Sequence, residues 1–401
     1  MKERILTKNF CFSFLSLFAS SMVMYILMGT ITEYVSDFGT TATLAGLVSG
    51  IYVVGGMFSR FCSGKMLDSM GWKKMGLMST LLHFVACCFY PFVSSLPLLI
   101  LVRFIHGIGF GMSSSAIVTI GMSILPKSRF GEAGGYFMMG TTLSVGLGPY
   151  VGGFVYDTFG ATGCFALAII MSFLTGVFLI FVDLSRVEQE ANASAAEDNA
   201  GKEQKFAFLR KFIEPGAIPI AMIISLCGFG YVSLLSFYRL YAEQTNLTQE
   251  FSYFFLIYAG CLLILRPAAG IIQDKYGNKW VCIPGIIAQT VGLFLISFQP
   301  CMITLIICAL GCAMGYGSLT SACNVMICRK APLSRRSYAV TTFYLCCDIA
   351  MGFGPALLGA VANAANYHFM YYAASALTLI ALPLFLIINK KEPSACSPAD
   401  H

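Results

Sequence analysis

Residues 64–74 read GKMLDSMGWKK, and residues 270–279 read GIIQDKYGNK. Each stretch is a short polar segment set between long apolar runs. A shift of 206 positions superposes the two and pairs identical residues: Gly64 with Gly270, Asp68 with Asp274, Gly71 with Gly277, and Lys73 with Lys279. The same junction between two apolar segments therefore occurs twice in the chain.

The composition excludes a soluble protein. Of the 401 residues, 57% are hydrophobic and 11% are charged, whereas soluble domains carry about 25% charged residues. A helical membrane crossing needs roughly 20 apolar residues, and the chain contains about twelve segments of that kind. They lie near residues 9–33, 42–63, 74–96, 97–122, 132–156, 162–183, 215–241, 251–273, 279–298, 301–327, 337–361 and 367–389. The sequence thus predicts an all-α membrane protein with twelve transmembrane helices.

The shift of 206 also holds outside the two polar stretches. It places Arg60 on Arg266, PKSR at 126–129 on PLSR at 332–335, and GLGPYVGG at 146–153 on GFGPALLG at 352–359. Because the shift spans six crossings, an even number, both copies run in the same direction and form a parallel repeat. We predict two six-helix bundles, residues 1–184 and 215–401, joined by a cytoplasmic linker at 185–214. The second bundle ends in a short cytoplasmic tail.

The distribution of charge predicts the orientation. With both termini in the cytoplasm, all but two of the 25 Lys and Arg residues fall in cytoplasmic segments, as the positive-inside rule expects. The two exceptions are Arg103 and Arg239, and acids such as Asp157 lie on the external side. The net charge of +6 therefore reflects topology and does not indicate a nucleic-acid partner. We expect a multi-pass protein of the cell (inner) membrane.

The cysteines do not indicate a metal centre or a disulfide framework. Most of the 16 cysteines lie within apolar segments, where a thiol behaves as a small hydrophobic group. No C-x-x-C pair occurs in a loop, so the usual spacing of a zinc site is missing. We expect neither a metal nor another cofactor.

Three features together resemble a known family of transporters. They are the six-plus-six arrangement, the pattern G-x-x-x-D-x-x-G-x-K-K between the second and third crossings, and G-x-G-P-x-x-G-G in the fifth. The chain resembles the major facilitator superfamily, and the G-x-G-P pattern is similar to that of its proton-coupled drug and metabolite antiporter branch. The chain departs from the usual loop motif at Ser69 and Trp72, where basic residues are common.

The resemblance implies a function. It implies secondary active transport by rocker-switch alternating access, with proton-coupled efflux of a small amphipathic organic compound. The alternative is a proton symporter that imports a sugar or an organic anion. The partners would be the substrate, protons and the lipid bilayer, and the protein would be a monomer. No enzymatic motif such as H-E-x-x-H is present, so we expect no enzyme activity.

The resemblance also implies that the two loop motifs form a cytoplasmic gate. An Asp in this loop can favour a neighbouring helix N-terminus, and Gly71 permits a positive φ. Arg129 and Arg335, each in the next cytoplasmic loop of its half, are expected ion partners of these acids. The alternative is a tight turn with no gating role. The predicted gate residues are Gly64, Asp68, Gly71, Lys73, Arg129, Gly270, Asp274, Gly277 and Arg335.

Charged residues within crossings are candidates for proton coupling, because such charges are costly and usually functional. Arg103 and His106 in the fourth crossing resemble the L-x-x-x-R-x-x-Q-G-x-G motif of the antiporter branch. Asp348 lies in the middle of the eleventh crossing, where a carboxylate is either protonated or paired, and Glu33 ends the first. The alternatives are a snorkelling arginine, a satisfied polar contact for Asp348, and an ordinary interface charge for Glu33.

Two further sets of residues complete the predicted site, and ordinary helix packing is the alternative for both. Aromatic, amide and basic side chains are expected to line the cavity, namely Tyr25, Tyr231, Tyr238, Arg239, Gln289 and Asn324. Small residues and prolines form a predicted helix-kink motif, comprising Gly146, Gly148, Pro149, Gly152, Gly153, Gly354 and Pro355. Pro149 removes a backbone hydrogen bond and bends its helix. Gly140, Ser144, Gly148 and Gly152 share one face suited to close packing.

Overall fold

The structure is a computed structural model that describes residues 4–36, 42–185, 187, 212–247 and 253–390. The predicted linker falls largely, and the predicted tail beyond Lys390 wholly, outside these residues. Regular structure in the described part is entirely helical, as expected where long apolar segments must satisfy their own backbone hydrogen bonds.

We number the α-helices in chain order. They are α1 (Lys8–Ser36), α2 (Ala42–Met70), α3 (Trp72–Phe89), α4 (Leu96–Ser123), α5 (Phe130–Ile180), α6 (Ile218–Thr245), α7 (Phe254–Tyr276), α8 (Lys279–Phe298), α9 (Met302–Cys312), α10 (Ser318–Lys330), α11 (Arg336–Ala364) and α12 (Tyr367–Lys390). Short 3₁₀ turns at 90–92, 127–129, 215–217 and 333–335 precede or follow them.

Two of these elements depart from a single straight helix. The 51 residues of α5 would extend about 75 Å as a straight helix, more than twice the bilayer core of about 30 Å. Gly160 interrupts α5 with φ 65° and ψ −167°, a combination that favours glycine. A π-helical segment at Ala313–Gly317 joins α9 to α10. Among the described residues, ten helical stretches are long and apolar enough to cross a membrane, and one of them is the bent α5.

The duplicated sequence adopts similar local structure. Gly71 ends α2 with φ 82°, and Gly277 ends α7 with φ 90°, so both copies of the loop motif use the left-handed region expected from the sequence. The 3₁₀ turns at 127–129 and 333–335 also lie 206 residues apart, as do the first residues of α5 and α11.

The most extensive contacts between the described residues before 188, the N-terminal part, and those after 211, the C-terminal part, are made by two helix pairs. In one pair α5 packs against α7, and in the other α2 packs against α11. Large apolar side chains such as Tyr150, Leu256 and Trp280 are exposed on the outside, where a bilayer would cover them. The polar groups discussed next lie along the two inner contacts.

Candidate functional site

An ion pair joins the N-terminal and C-terminal parts within the helical region. Arg60 of α2 donates from Nε to Oδ2 of Asp348 on α11 over 2.6 Å. Its Nη1 donates to Ser115 Oγ on α4 over 3.0 Å, and its guanidinium lies 4.8 Å from the ring centroid of Tyr344. The Arg60 side chain is 4% exposed and that of Asp348 is 20% exposed.

This pair can respond to a proton. A buried charge is stable only while its partner remains charged and in place, and a proton on Asp348 would cancel the negative charge that Arg60 faces. Asp348 was a candidate from the sequence, whereas Arg60 was missed as its partner. The available signal was the position of Arg60 in the repeat, where it matches Arg266.

Arg266 occupies the corresponding place at the other contact, but it has no carboxylate there. Its Nε donates to Gly317 O over 3.0 Å, and its Nη1 donates to Met138 O on α5 over 2.6 Å and to Thr141 Oγ1 over 2.9 Å. Among the described residues it forms no ion pair. The position 206 residues before Asp348 is Thr142, so the duplication has kept the arginine and not the acid.

A cluster of tyrosines lies beside Arg266. Tyr231 of α6 stacks on Tyr316 with ring centroids 4.8 Å apart and on Tyr258 of α7 with centroids 5.3 Å apart. Tyr25 of α1 lies near Tyr231 and Tyr316. Tyr25 and Tyr231 were predicted from the sequence, and the structure adds Tyr258 and Tyr316. The cluster provides a largely apolar surface with hydroxyl groups.

Asn324 and Gln289, the two predicted amides, have different surroundings. Asn324 of α10 is fully buried, and its Nδ2 donates to the Tyr344 hydroxyl over 3.5 Å, which places it next to the aromatic ring under Arg60. Gln289 of α8 instead holds the C-terminal part together. Its Nε2 donates to Cys227 O and its Oε1 accepts from Tyr316 N, both over 2.8 Å, so it satisfies backbone groups at the π-helical segment.

Asp274, the acid of the second loop motif, lies near the end of α7 in the C-terminal part. It caps α5, a helix of the N-terminal part. Its Oδ1 and Oδ2 accept from the backbone N–H groups of Gly131 and Glu132, each over 2.8 Å. These two amides belong to the first turn of α5, where unpaired N–H groups and the helix dipole favour an anion. Arg329 also forms an ion pair with Asp274.

Asp68, the copy of Asp274, has a weaker contact with the C-terminal part. Its Oδ2 accepts from the Tyr338 hydroxyl on α11 over 3.1 Å. Arg335 lies on the same ring, 4.1 Å from the Tyr338 centroid, and its Nε donates to Glu214 over 2.8 Å. The two copies of the loop motif thus hold different partners.

The structure gives these loops ion pairs that the sequence did not indicate, and the expected pairing of Arg129 and Arg335 with the loop acids stays a prediction. Arg129 donates to Glu132 over 2.7 Å, Arg335 to Glu214, and it is Arg329 that pairs with Asp274. Lys73 donates to the backbone oxygens of Ile180 and Val182 at the end of α5. Sequence position showed that these loops are close but did not show which basic side chain each acid would meet.

Two predicted gate glycines lie where the N-terminal and C-terminal parts approach most closely. A Cβ added to Gly64 would lie 2.8 Å from Thr341 Oγ1 on α11, and one added to Gly270 would lie 2.2 Å from Gly131 O on α5. Real Cβ atoms do not approach other atoms this closely. These two glycines permit the contacts between α2 and α11 and between α5 and α7.

Arg103 and His106 lie inside the N-terminal part, away from the ion pair. Arg103 is 2% exposed, donates to Val48 O over 3.3 Å and to the Tyr90 hydroxyl over 3.5 Å. Its guanidinium lies 4.6 Å from the Tyr52 ring centroid. His106 is hydrogen-bonded to the same Tyr90 hydroxyl over 2.8 Å. Among the described residues, no hydrogen bond or ion pair joins Arg103 to Asp348, and the role of Arg103 in proton coupling stays a prediction.

A group that could hold a metal ion adjoins these residues. His83, Cys87 and His106 are all buried, and one donor atom from each lies within 4.8 Å of the others. The sequence does not predict this group, because its residues come from two helices and do not form a cysteine pair in a loop.

The helix-kink residues pack mainly within each part. Gly148 and Gly152 face Tyr25 and Ile26 of α1, and the Ser144 hydroxyl donates to Phe18 O over 3.0 Å. The corresponding Gly354 of α11 faces Val232 of α6, whereas Gly146 faces Ala259 of α7 and Gly153 has no neighbour within 4 Å. Pro149 and Pro355 both lie inside helices. A role of this motif beyond helix packing stays a prediction.

Three candidates lie outside what the structure describes in side-chain detail. Glu33 belongs to α1, and Tyr238 and Arg239 belong to α6, but their side chains are outside the described part. Their proposed place in the cavity stays a prediction.

The fold and the polar contacts between the two parts define a multi-pass helical membrane protein. A model of the Major Facilitator Superfamily matches residues 13–264 and 248–401. The chain belongs to this superfamily of transporters, and it is a transporter rather than an enzyme.

Individual relatives are distant in sequence but similar over most of their length. The chain is 23% identical to an uncharacterized transporter of the superfamily from Methanocaldococcus jannaschii, over 94% of this chain and 96% of that protein. It is 24% identical to the multidrug resistance protein MdtG of Dickeya zeae, over 77% of each chain. The solved structure of the proton:xylose symporter XylE covers 96% of this chain and 95% of its own, with a TM-score of 0.76 and 15% identity. This last likeness concerns the fold alone.

Proposed function

We propose that the protein is a proton-coupled secondary transporter that exports a small amphipathic organic compound by rocker-switch alternating access. In this proposal it crosses the cell (inner) membrane twelve times, with both termini in the cytoplasm. Residues 1–184 and 215–401 form two six-helix bundles related by a parallel pseudo-two-fold axis, and residues 185–214 link them. The bent α5 counts as two crossings, and α9 with α10 counts as one.

The contacts between the two parts support a conformation closed to the cytoplasm. The loop motifs carry the basic residues that the positive-inside rule assigns to the cytoplasm. On that side Asp274 caps α5, Asp68 meets Tyr338, and Gly64 and Gly270 allow close helix approach. Opening towards the cytoplasm requires these contacts to break together, which is the behaviour of a gate.

The Arg60–Asp348 pair is the observation that carries the proposed coupling. It links the two bundles in the closed conformation, and a proton on Asp348 would remove the attraction. A proton that enters from outside would therefore favour opening to the cytoplasm, where the proton is released and the substrate binds. When the protein returns to the conformation closed to the cytoplasm, it carries the bound substrate to the outside. One cycle therefore exchanges an entering proton for an exported substrate molecule.

The tyrosine cluster and the nearby charges favour a particular substrate chemistry. Tyr231, Tyr258 and Tyr316 offer stacked rings to an apolar or aromatic group. Among the described residues, this region has two guanidinium groups, on Arg60 and Arg266, and one carboxylate, on Asp348. The excess of positive charge favours a neutral or anionic amphipathic compound over a cation. The similarity to a multidrug resistance protein supports export as the direction.

The test begins with the purified protein in detergent. A thermal-shift screen of anionic, neutral and cationic amphipathic dyes identifies a ligand, and counterflow in proteoliposomes measures its transport. An imposed pH gradient should drive the dye against its concentration gradient, in the direction opposite to proton flow. A transport rate that does not change with the pH gradient would contradict the proposed proton coupling.

A second candidate function is a proton symporter that imports a sugar or organic anion. The excess of guanidinium groups, on Arg60 and Arg266, favours an anionic substrate for this alternative. The same proteoliposome experiment separates the two functions, because in symport the substrate and the protons move in the same direction. Xylose and benzoate serve as probes for this arm.

A further inference from the structure

The group formed by His83, Cys87 and His106 lies apart from the proposed transport site and is not used by it. His83 and Cys87 are four residues apart on α3 and therefore share a face. His106 comes from α4, and all three side chains are fully buried. Gly109 of α4 allows the close approach, because a Cβ there would lie 2.8 Å from His83 N.

Both ring nitrogens of His83 are buried, and no group in the described part of the chain forms a hydrogen bond with either of them. Burial of an unsatisfied polar group costs about 1 to 3 kcal/mol, and native proteins contain few such groups. The other two members of the group do not offset this cost, because they contact each other: Cys87 Sγ lies 3.4 Å from His106 Nε2. An ion bound by the three side chains would satisfy a nitrogen of His83.

The surroundings of His106 are those of a metal ligand. Its Nδ1 is hydrogen-bonded to the Tyr90 hydroxyl over 2.8 Å, which leaves Nε2 directed at Cys87. Metal-bound histidines commonly use the second ring nitrogen in such a bond, which orients the ring. Donors at bond lengths of about 2.0 to 2.3 Å would be roughly 3.5 to 4 Å apart in a trigonal site, a spacing that the three donor atoms, all within 4.8 Å, reach with small side-chain shifts.

We propose that His83, Cys87 and His106 form a buried binding site for a monovalent soft cation, copper(I). A thiolate with imidazoles is a donor set that suits copper and zinc, and the thiolate selects copper(I) over harder ions. On binding, the thiol of Cys87 loses its proton and its sulfur forms a bond to copper(I). The single positive charge of copper(I) replaces that of the released proton. The two histidines bind as neutral imidazoles.

The choice of a monovalent ion follows from the nearby arginine. Arg103 donates to the Tyr90 hydroxyl, so its positive charge lies close to the site. Zinc in place of the thiol proton would add a net positive charge beside this guanidinium in a medium of low dielectric constant, where like charges repel strongly. Copper(I) leaves the charge unchanged. The bound ion would connect α3 to α4 within the N-terminal part.

Copper retention by the purified, full-length protein tests the proposal. Cells are grown with added copper, and the protein is purified without oxygen and titrated with copper(I) in the presence of the competing chelator bicinchoninate. The wild type should retain one copper more than Cys87→Ser and His83→Gln. Cys88→Ser is the matched control, because Cys88 is the adjacent residue and is not part of the group, and it should retain the wild-type amount.

Two further measurements distinguish copper bound at this site from copper bound by other cysteines and from the effects of a misfolded variant. X-ray absorption of the retained copper should show mixed nitrogen and sulfur ligands, and copper should raise the Tm of the wild type and of Cys88→Ser but not of Cys87→Ser. Size-exclusion chromatography checks that each variant is folded. Equal copper in the wild type and Cys87→Ser, or no retained copper in the wild type, would overturn the proposal. Zinc retained in preference to copper would overturn the choice of ion.

Discussion

Arg60 and Asp348, 288 residues apart in the chain, form a 2.6 Å ion pair that joins α2 to α11. Within the described residues, the corresponding Arg266 at the contact between α5 and α7 donates to backbone oxygens and a threonine hydroxyl and to no carboxylate. Two similar contacts thus hold the N-terminal and C-terminal parts together, and of the two matching arginines only Arg60 pairs, among the described residues, with a carboxylate that a proton can neutralise. We therefore expect proton coupling to depend on Asp348.

Asp348→Asn should abolish the dependence of transport on the pH gradient. The Asn side chain does not titrate, and it leaves Arg60 without a counter-charge. Loss of one partner of a buried ion pair costs about 3 to 5 kcal/mol, and the cost is lower where one side chain is partly exposed. We expect proton-driven transport to fall at least about tenfold, the equivalent of about 1.4 kcal/mol. Flux in proteoliposomes with and without a pH gradient measures this. Asp157→Asn, at an exposed position, should leave the gradient dependence intact.

Asp274→Ala should open the side that carries the loop motifs more than Asp68→Ala does. Asp274 accepts from two backbone amides of α5 and pairs with Arg329, whereas Asp68 accepts from one hydroxyl. Loss of a helix cap costs about 0.5 to 2 kcal/mol. Hydrogen–deuterium exchange of the peptide spanning 130–136 should rise severalfold in Asp274→Ala. An equal response to both substitutions would show that the two loops act alike.

Gly270→Ala should also favour the open conformation. The added Cβ would lie 2.2 Å from Gly131 O, a backbone atom that cannot move without separating α5 from α7. Exchange should increase in the peptides on both sides of this contact, with a lower rate of transport. Gly153→Ala is the control, because no atom of the described residues lies within 4 Å of a Cβ added there. Unchanged exchange in Gly270→Ala would argue against the close contact.

Gln289→Leu should destabilise the C-terminal part. The substitution leaves Tyr316 N and Cys227 O without the partners that they have over 2.8 Å, at a cost of about 1 to 3 kcal/mol for a buried unsatisfied group. The Tm of the protein in detergent should fall by several degrees. The exposed Gln299 is a matched control, and Gln299→Leu should leave the Tm unchanged. A similar Tm for both variants would mean that Gln289 does not hold the π-helical segment.

Cys301 should be the thiol that reacts first with a membrane-impermeant maleimide added to intact cells. It precedes α9, on the external side in the proposed topology. Hydrogen bonds from the backbone N–H and the hydroxyl of Thr304 lower the pKa of its thiol. A lower pKa increases the thiolate fraction at neutral pH, and the thiolate is the reactive form.

Two comparisons check this result. Thr304→Val removes one of the two donors and should slow the reaction of Cys301, with the largest difference below the ordinary thiol pKa of about 8.5. The exposed Cys11 lies at the cytoplasmic end of the first crossing in the proposed topology and should react only after the cells are permeabilised. Labelling of Cys11 in intact cells and of Cys301 only after permeabilisation would reverse the orientation.

The sequence by itself determined the class of the protein. A charged fraction of 11% and apolar segments of membrane-spanning length leave a helical membrane protein as the physical solution, since only self-satisfied backbones are stable in a bilayer. The motif around Asp68 and its copy around Asp274 showed the duplication and the family resemblance. Gly71 and Gly277 marked turns with positive φ because a residue without a Cβ adopts them at no steric cost.

Only the tertiary structure decided which polar groups meet. Hydropathy gives the depth of Arg103 and Asp348 in the membrane, but an apolar helix has no polar face that reveals its rotation about its own axis. That rotation turns Arg103 towards Val48 and Tyr90 inside the N-terminal part and turns Asp348 towards Arg60. It is set by packing between segments hundreds of residues apart, such as the approach of Gly64 to Thr341. The pairing of the charges therefore depends on contacts that no local sequence pattern encodes.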